Sequence, residues 1–248
     1  MSVTPHGTTH RATLRWQTAV VRSVRAETPT ARTLRLALPA ARRHLAGQHY
    51  VVRLTAPDGY TASRSYSVAS PPADGFDRPP GGEIELTVER LPDGEVSEYL
   101  CDVVEPGDLL EVRGPIGGFF VWPGGTAALL VGGGSGVVPL MAMLRQARLT
   151  GQADLLRLVV SARSPADLYY TDEIGGPQTR IAYTRQAPPG TARPAGRLTA
   201  ADLAGAVRGG EDVFVCGSPG FADGATAVLV EAGVPVETIK VERFGPSG

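Results

Sequence analysis

The stretch Leu129-Leu130-Val131-Gly132-Gly133-Gly134-Ser135-Gly136-Val137-Val138-Pro139-Leu140 has the chemistry of an anion cradle. An apolar run ends in glycines and a serine, and helix-compatible residues follow, with proline in the first turn. Glycines let backbone approach a diphosphate with no Cβ in the way. A helix N-terminus then adds free N–H groups and the positive end of a dipole. The spacing departs from Gly-x-Gly-x-x-Gly, because Val137 stands where a third Gly or Ala is expected. Such a turn can be purely structural; a strand before it and a helix after it favour a nucleotide. The run Val159-Val160-Ser161-Ala162 ends at Arg163. A plain ribose wants an acid there, whereas arginine suits a 2′-phosphate through charge-assisted, two-pronged bonds. A third apolar run, Val213-Phe214-Val215, opens into Cys216-Gly217-Ser218-Pro219. Cys216 sits at the strand end where such sheets bind ligands; a small buried filler is its other reading. No nucleophile–base pair surrounds it. His6, His10, His44 and His49 lack metal-ligand spacing, so no metal site is expected.

The elements that must position these residues fall into two textures. Residues 17–24, 31–38, 49–54, 65–68, 84–90 and 109–112 are short alternating or β-branched runs, broken by Pro-Asp-Gly, Gly-Gly and Pro-Gly turns. Six such strands predict an antiparallel β-barrel or sandwich, with one short helix at 96–102. After Trp122-Pro123-Gly124-Gly125 the pattern changes to strands at 126–131, 155–161 and 212–216 and helices at 140–148 and 222–232. That rhythm predicts an α/β domain with a parallel sheet. The expected organisation is a loose tail over 1–13, a barrel domain over 14–123 and an α/β domain over 124–248. Residues 71–82, rich in Pro and Gly, read as a loop.

The chain has 248 residues, 42% hydrophobic and 20% charged, enough for a sizeable core. No apolar run approaches the ~20 residues of a membrane span, and the N-terminus lacks the apolar region of a secretory signal. Two cysteines, Cys101 and Cys216, cannot ligate a four-cysteine iron–sulfur cluster, so no such cluster is expected in this chain. A cytoplasmic chain with reduced thiols is the expectation. Net charge is −1, which argues against general nucleic-acid binding. Its distribution is uneven: residues 1–64 carry ten arginines and two acids, residues 65–125 three arginines and twelve acids. Antiparallel strands could interleave these charges, or the basic third could dock an acidic partner.

Five motifs in order resemble the ferredoxin–NADP reductase superfamily of flavoproteins, over about residues 14–244. They are Arg64-Ser65-Tyr66-Ser67, Gly94-Glu95-Val96-Ser97, Gly114-Pro115 with Phe119, Gly132 to Pro139, and Cys216-Gly217-Ser218-Pro219. The resemblance implies FAD on the barrel and NADP(H) on the α/β domain. Arg64 then pairs with the flavin diphosphate, with Ser65 beside it. Tyr66 stacks on the flavin ring, and Ser67 hydrogen-bonds near its N5 atom. Thr87, Val88 and Glu89 match a strand whose backbone faces the flavin. Gly94, Val96 and Ser97 match a diphosphate-binding helix start. Gly134, Ser135, Gly136 and Gly217 correspond to nucleotide-loop positions. Arg163, Arg185 and Arg197 match places where family members hold a 2′-phosphate, and Thr184, beside Arg185, is counted with the cofactor-binding residues. Cys216 matches the cysteine that approaches the nicotinamide, and Glu242 the acid that acts with Ser67 and Cys216. Phe244 resembles the aromatic that covers the flavin. The plant-type pattern stops at a terminal tyrosine, whereas here Gly245-Pro246-Ser247-Gly248 follows.

The resemblance therefore implies an FAD-dependent NAD(P)H oxidoreductase. It would pass hydride from NADPH to FAD, then single electrons to a separate acceptor such as a ferredoxin or an oxygenase or desaturase component. A flavin subunit of a larger complex that does not turn over nucleotide is the alternative.

Overall fold

A computed structural model describes residues 14–40, 42–72 and 82–245. The expected N-terminal tail and most of the expected loop at 71–82 lie outside them. The first half contains β1 (Gln17–Thr28), β2 (Ala31–Leu38), β3 (His49–Thr55), β4 (Thr61–Ser67), β5 (Gly82–Glu89), α1 (Glu95–Asp102) and β6 (Leu109–Ile116). The strands form one antiparallel sheet in the order β4-β3-β6-β1-β2-β5. A single bridge, Val68 to Leu86, joins its two ends into a barrel, helped by Ala69 N–H donating to Glu85 O at 2.8 Å. Alternate residues point inward, so Leu34, Leu36, Leu38, Tyr50, Val52, Ile84, Leu86 and Val88 are buried together. Val96, Leu100 and Cys101 of α1 pack into that core. β4 starts at Thr61, four residues before the strand the sequence suggests. Thr61, Ser63 and Arg64 are polar and exposed, so the early strand carries no apolar alternation, yet all seven residues pair with β3.

The second half contains β7 (Ala128–Gly133), α2 (Val137–Leu149), β8 (Leu156–Ala162), β9 (Thr179–Tyr183), α3 (Ala200–Leu203), β10 (Asp212–Gly217), α4 (Pro219–Glu231) and β11 (Ile239–Arg243). Its sheet is parallel throughout, in the order β11-β10-β7-β8-β9. Helices cover both faces, which explains the unbroken apolar runs. Leu130, Leu158 and Phe214 share a cluster with α2, whereas Leu129, Val131, Val159, Val213 and Val215 share one with α4. The chain runs outward from β7 to β8 and β9, then returns to lay β10 and β11 on the other side of β7. Strand order reverses between β7 and β10, and such a reversal opens a crevice at the strands' carboxyl ends. β9 and β11 are edge strands of five residues with mixed polarity, and were not legible as apolar runs.

Residues 117–127 connect the sheets, and the domain boundary proposed near residue 123 lies within them. Trp122 is fully buried there, bridges to Ala46, and donates from Nε1 to Thr126 O at 3.0 Å. Phe120, Trp122, Ala46 and Ala69 share a cluster with Leu140 and Met143 of α2, so the two halves pack directly on each other.

Candidate functional site

The carboxyl ends of β7 and β10 meet through glycines. Gly134 has φ +56°, and Gly134–Gly136 form one tight helical turn that runs straight into α2. A Cβ on Gly136 would stand 2.1 Å from Cys216 O, so only glycine lets this turn lie against the end of β10. Phe221, in the first turn of α4, wedges over both loops: a Cβ on Gly133 or on Gly217 would come within 2.5 Å of its ring. Ser218 caps α4, its Oγ accepting from Phe221 N at 3.4 Å. Two helix N-termini thus open at one crevice, the arrangement that favours an anion. Ser135 is half-buried beside it.

β11 brings the chain's end to the same edge. Register pairs Cys216 with Glu242, and Phe244 N–H donates to Gly217 O at 2.9 Å. The Cys216 thiol is fully buried; burial first, and the Glu242 charge second, hold it well above its ordinary range, so it stays protonated at neutral pH. Burial raises the Glu242 carboxyl to about 7. Phe244 is half-buried against the cluster that contains Cys216 and Ala69, the latter two residues beyond Ser67. Ser67 is 5% exposed and its Oγ has no hydrogen-bond partner among the described residues. An orphaned buried hydroxyl is rare and expensive in a finished fold, so this one fits a bound group with a polar edge.

Around Ser67 the barrel residues divide. Arg64 and Ser65 are exposed; among the described residues the Arg64 guanidinium hydrogen-bonds its neighbour's carbonyl, Ser63 O, at 2.8 Å. Tyr66 is half-buried against the barrel core, which pushes its hydroxyl pKa up. β5 pairs with β2 along its whole length, while its ladder toward β4 stops at the Val68 bridge. Val88 and Glu89 therefore lie beyond the sheet's closure. Thr87 is occupied, its Oγ1 lying 2.7 Å from Thr33 Oγ1 and 2.6 Å from the Tyr170 hydroxyl. Gly94 precedes α1 because a Cβ there would lie 2.4 Å from Ser97 Oγ. That hydroxyl donates to Gly94 O at 3.0 Å and accepts from Leu91 N at 3.2 Å, so it is spent within the turn. What α1 can offer an anion is its first free N–H groups, Val96 and Ser97 among them.

The predicted phosphate arginines converge. Arg185 N–H donates to Arg163 O at 2.9 Å, and Thr184 N–H to Ala162 O at 2.8 Å, so both residues cross the ends of β8 and β9 together. Gly196 N–H donates to Tyr183 O at 2.9 Å and brings Arg197 alongside. All three arginines are exposed, and none has an acidic partner among the described residues. Several barrel arginines behave otherwise: Arg22 and Arg35 meet Glu83, Arg25 meets Glu27, Arg53 meets Glu111, and Arg90 meets Glu98 and Asp102. Part of the charge asymmetry along the chain is thus interleaved on the barrel, as in the first of the two readings above. The sequence reading missed Phe221, Arg145 and Tyr170; only the tyrosine pair Tyr169-Tyr170 inside a polar stretch marked that region.

Residues 18–121 match the oxidoreductase FAD-binding domain family, and residues 130–227 the oxidoreductase NAD-binding domain family. The chain belongs to the ferredoxin–NADP reductase superfamily. Within it, the chain is 29% identical over 199 residues to the reductase component of propane 2-monooxygenase from Rhodococcus jostii (strain RHA1), covering 75% of this chain and 52% of that protein. It is 27% identical over 227 residues to the ferredoxin–NAD(P)(+) reductase component of naphthalene 1,2-dioxygenase/salicylate 5-hydroxylase systems from a Ralstonia species, covering 88% and 65%. The chain therefore spans between about half and two-thirds of the length of these two relatives. An Amycolatopsis cytochrome P450 reductase superposes with TM-score 0.77 and 27% identity, over 95% of this chain and 71% of that one. The FAD/NAD-binding domain of a Vibrio cholerae nitric oxide dioxygenase shares the fold, with TM-score 0.79, 22% identity and coverage of 93% and 99%. Superfamily membership agrees with both sheets, the barrel preceding the parallel α/β domain.

Proposed function

We propose that the chain is an NADPH-oxidising flavin reductase that serves a separate electron acceptor. The observation that carries the reading is the orphaned Ser67 hydroxyl, two residues from Ala69 in the cluster that contains Cys216 and against which Phe244 packs. It supports a ligand seated where the barrel meets the crevice. Bound FAD would supply a hydride acceptor that can release electrons one at a time. The chain's own residues do the rest. Arg64 and the N-terminus of α1 bind the diphosphate, and Tyr66 lies along the ring. The backbone of Thr87, Val88 and Glu89 borders it. Ser67 donates its hydrogen bond near N5. The turn Gly134-Ser135-Gly136 and Gly217 take the nicotinamide nucleotide's diphosphate, while Arg163, Thr184, Arg185 and Arg197 hold its 2′-phosphate. Glu242, neutral below about 7, holds a proton at the same edge as Cys216. Phe244 shields the site from water. Their contribution is position and an environment of fixed dipoles rather than new chemistry.

The names of the relatives support an oxygenase component or a ferredoxin as acceptor. No helix among the described residues is long and apolar enough to cross a membrane. We place the protein in the cytoplasm, where its two free cysteines, Cys101 and Cys216, would stay reduced. Anaerobic stopped-flow bleaching of the FAD-loaded chain, with NADPH and NADH compared, tests the proposal. Fast bleaching by NADPH is expected. Preference for NADH would demote the arginines, and bleaching by neither would refute turnover.

A further inference from the structure

Arg145 lies on α2, the helix that starts at the glycine turn, and its side chain is only 12% exposed. Its Nε donates to Glu173 Oε2 at 2.8 Å, and a terminal nitrogen contacts the other oxygen of the same carboxylate. The remaining nitrogen leaves the α/β half altogether. It donates to Ala69 O and to Glu85 Oε2, both at 2.9 Å, and both acceptors belong to the barrel. The guanidinium also stands 5.0 Å from the centre of the Tyr170 ring. Tyr170 crosses the same junction in parallel. Its hydroxyl meets Thr87 Oγ1, Thr87 meets Thr33 at 2.7 Å, and Thr33 donates to Glu27 Oε1 at 2.7 Å. Tyr170 has φ +52°, a conformation that is unfavourable for a residue with a Cβ and persists only where its surroundings over-determine it. Burial alone would lower the Arg145 pKa, but the Glu173 and Glu85 carboxylates outweigh it and hold the group charged at any working pH.

The landing points matter more than the number of bonds. Ala69 is two residues beyond Ser67, and Glu85 two before Thr87, and both flank the Val68–Leu86 bridge that closes the barrel. At its other end α2 follows Gly136, where a Cβ would collide with Cys216 O. One side chain therefore ties the Ser67 strand to the helix that carries the glycine turn. Displacement of reacting groups by ~1 Å can cost ~10²-fold in rate, so a rigid link at this place has a functional consequence.

We propose that Arg145 is a positioning residue for transfer between the two halves, fixing the Ser67 strand relative to the glycine turn while touching neither bound nucleotide nor flavin. The inference rests on the proposed function for its effect on rate, but not for its effect on geometry. The test uses the full FAD-loaded chain with spin labels at Leu109→Cys on the barrel and Val236→Cys on the α/β half. Both positions are exposed, while the native cysteines are buried. Pulsed dipolar spectroscopy should give a narrow distance distribution for the parent and a broadened one for Arg145→Met. At saturating NADPH the variant's flavin reduction should slow by about 10- to 100-fold. FAD content should be unchanged, and the dissociation constant for 2′,5′-ADP should stay within twofold. Arg145→Lys, a point charge that cannot fork between two partners, should recover part of the rate. An unchanged distribution, or reduction within twofold of the parent in FAD-replete Arg145→Met, overturns the proposal. If Arg145→Met fails to fold, Arg145→Lys and Glu85→Gln carry the same two readouts. If NADPH does not bleach the parent either, the proposed function has failed; the distance distribution alone then decides whether Arg145 holds the halves together.

Discussion

Arginines on the barrel and arginines at the ends of β8 and β9 are chemically identical and do different things. On the barrel, antiparallel pairing can set an arginine opposite one of the chain's own carboxylates, as with Arg53 and Glu111 on β3 and β6. At the parallel sheet's carboxyl edge, backbone bonds bring the segments of Arg163, Arg185 and Arg197 side by side, with no acidic partner among the described residues. The same contrast separates two serines. The Ser97 hydroxyl is bonded within its own turn, whereas the buried Ser67 hydroxyl has no partner among the described residues. A group that the fold leaves unanswered is the one to suspect of binding something else.

That contrast can be broken most forcefully at the arginines. Arg163→Ala with Arg185→Ala should lower kcat/KM for NADPH by about 10²- to 10³-fold, the cost of unpairing a charged contact, and leave NADH unchanged. Steady-state ferricyanide reduction with each nucleotide reads it, and an equal fall with both would mean that these side chains do not sense the extra phosphate. Ser67→Ala should slow flavin reduction by about 10²-fold, as loss of one well-placed donor does, while FAD remains bound. Stopped-flow bleaching against the FAD absorbance of the purified variant checks both halves of that statement.

Glu242 sharpens the comparison through pH. Its folded pKa, about 7, lies above the ordinary value of 4.5 expected in the unfolded chain. Between those values the folded protein binds the extra proton, so stability is fully present below the lower value and is lost as pH rises through the higher. Melting profiles from pH 5 to 8 should therefore show the parent losing ground to Glu242→Gln, and the parent's reduction rate should fall above about pH 7 where the variant's stays flat. Parallel melting curves would exclude a raised carboxyl. The smallest effect belongs to the barrel. Arg35→Ala removes a solvent-exposed pair, so it should change stability by about 1 kcal/mol or less and leave nucleotide preference untouched, as urea titration and the same steady-state assay would show.

Legibility in the sequence followed burial. β2 could be read residue for residue, because alternating Leu34, Leu36 and Leu38 fill the barrel. β7, β8 and β10 could be read because helices bury both their faces. β9 and β11 could not, since an edge strand needs no apolar pattern, although β11 carries Glu242 to Cys216. Site residues with a local motif, such as Arg64 to Ser67 and Gly132 to Pro139, were visible as strings. Arg145 was not. It is one arginine among twenty-three, and its partners at residues 69, 85 and 173 become neighbours only in three dimensions.

One feature of the barrel reaches beyond catalysis. Its sheet closes through the bridge from Val68 to Leu86, between the strand that ends at Ser67 and the strand that continues to Glu89. A flat molecule laid across that join would act as a rivet. Whatever affinity the chain has for it would appear as added resistance to unfolding, growing with the logarithm of its free concentration. Stability and activity of this protein would then rest on the same occupancy, and a cell short of the rivet would lose the activity and then the protein.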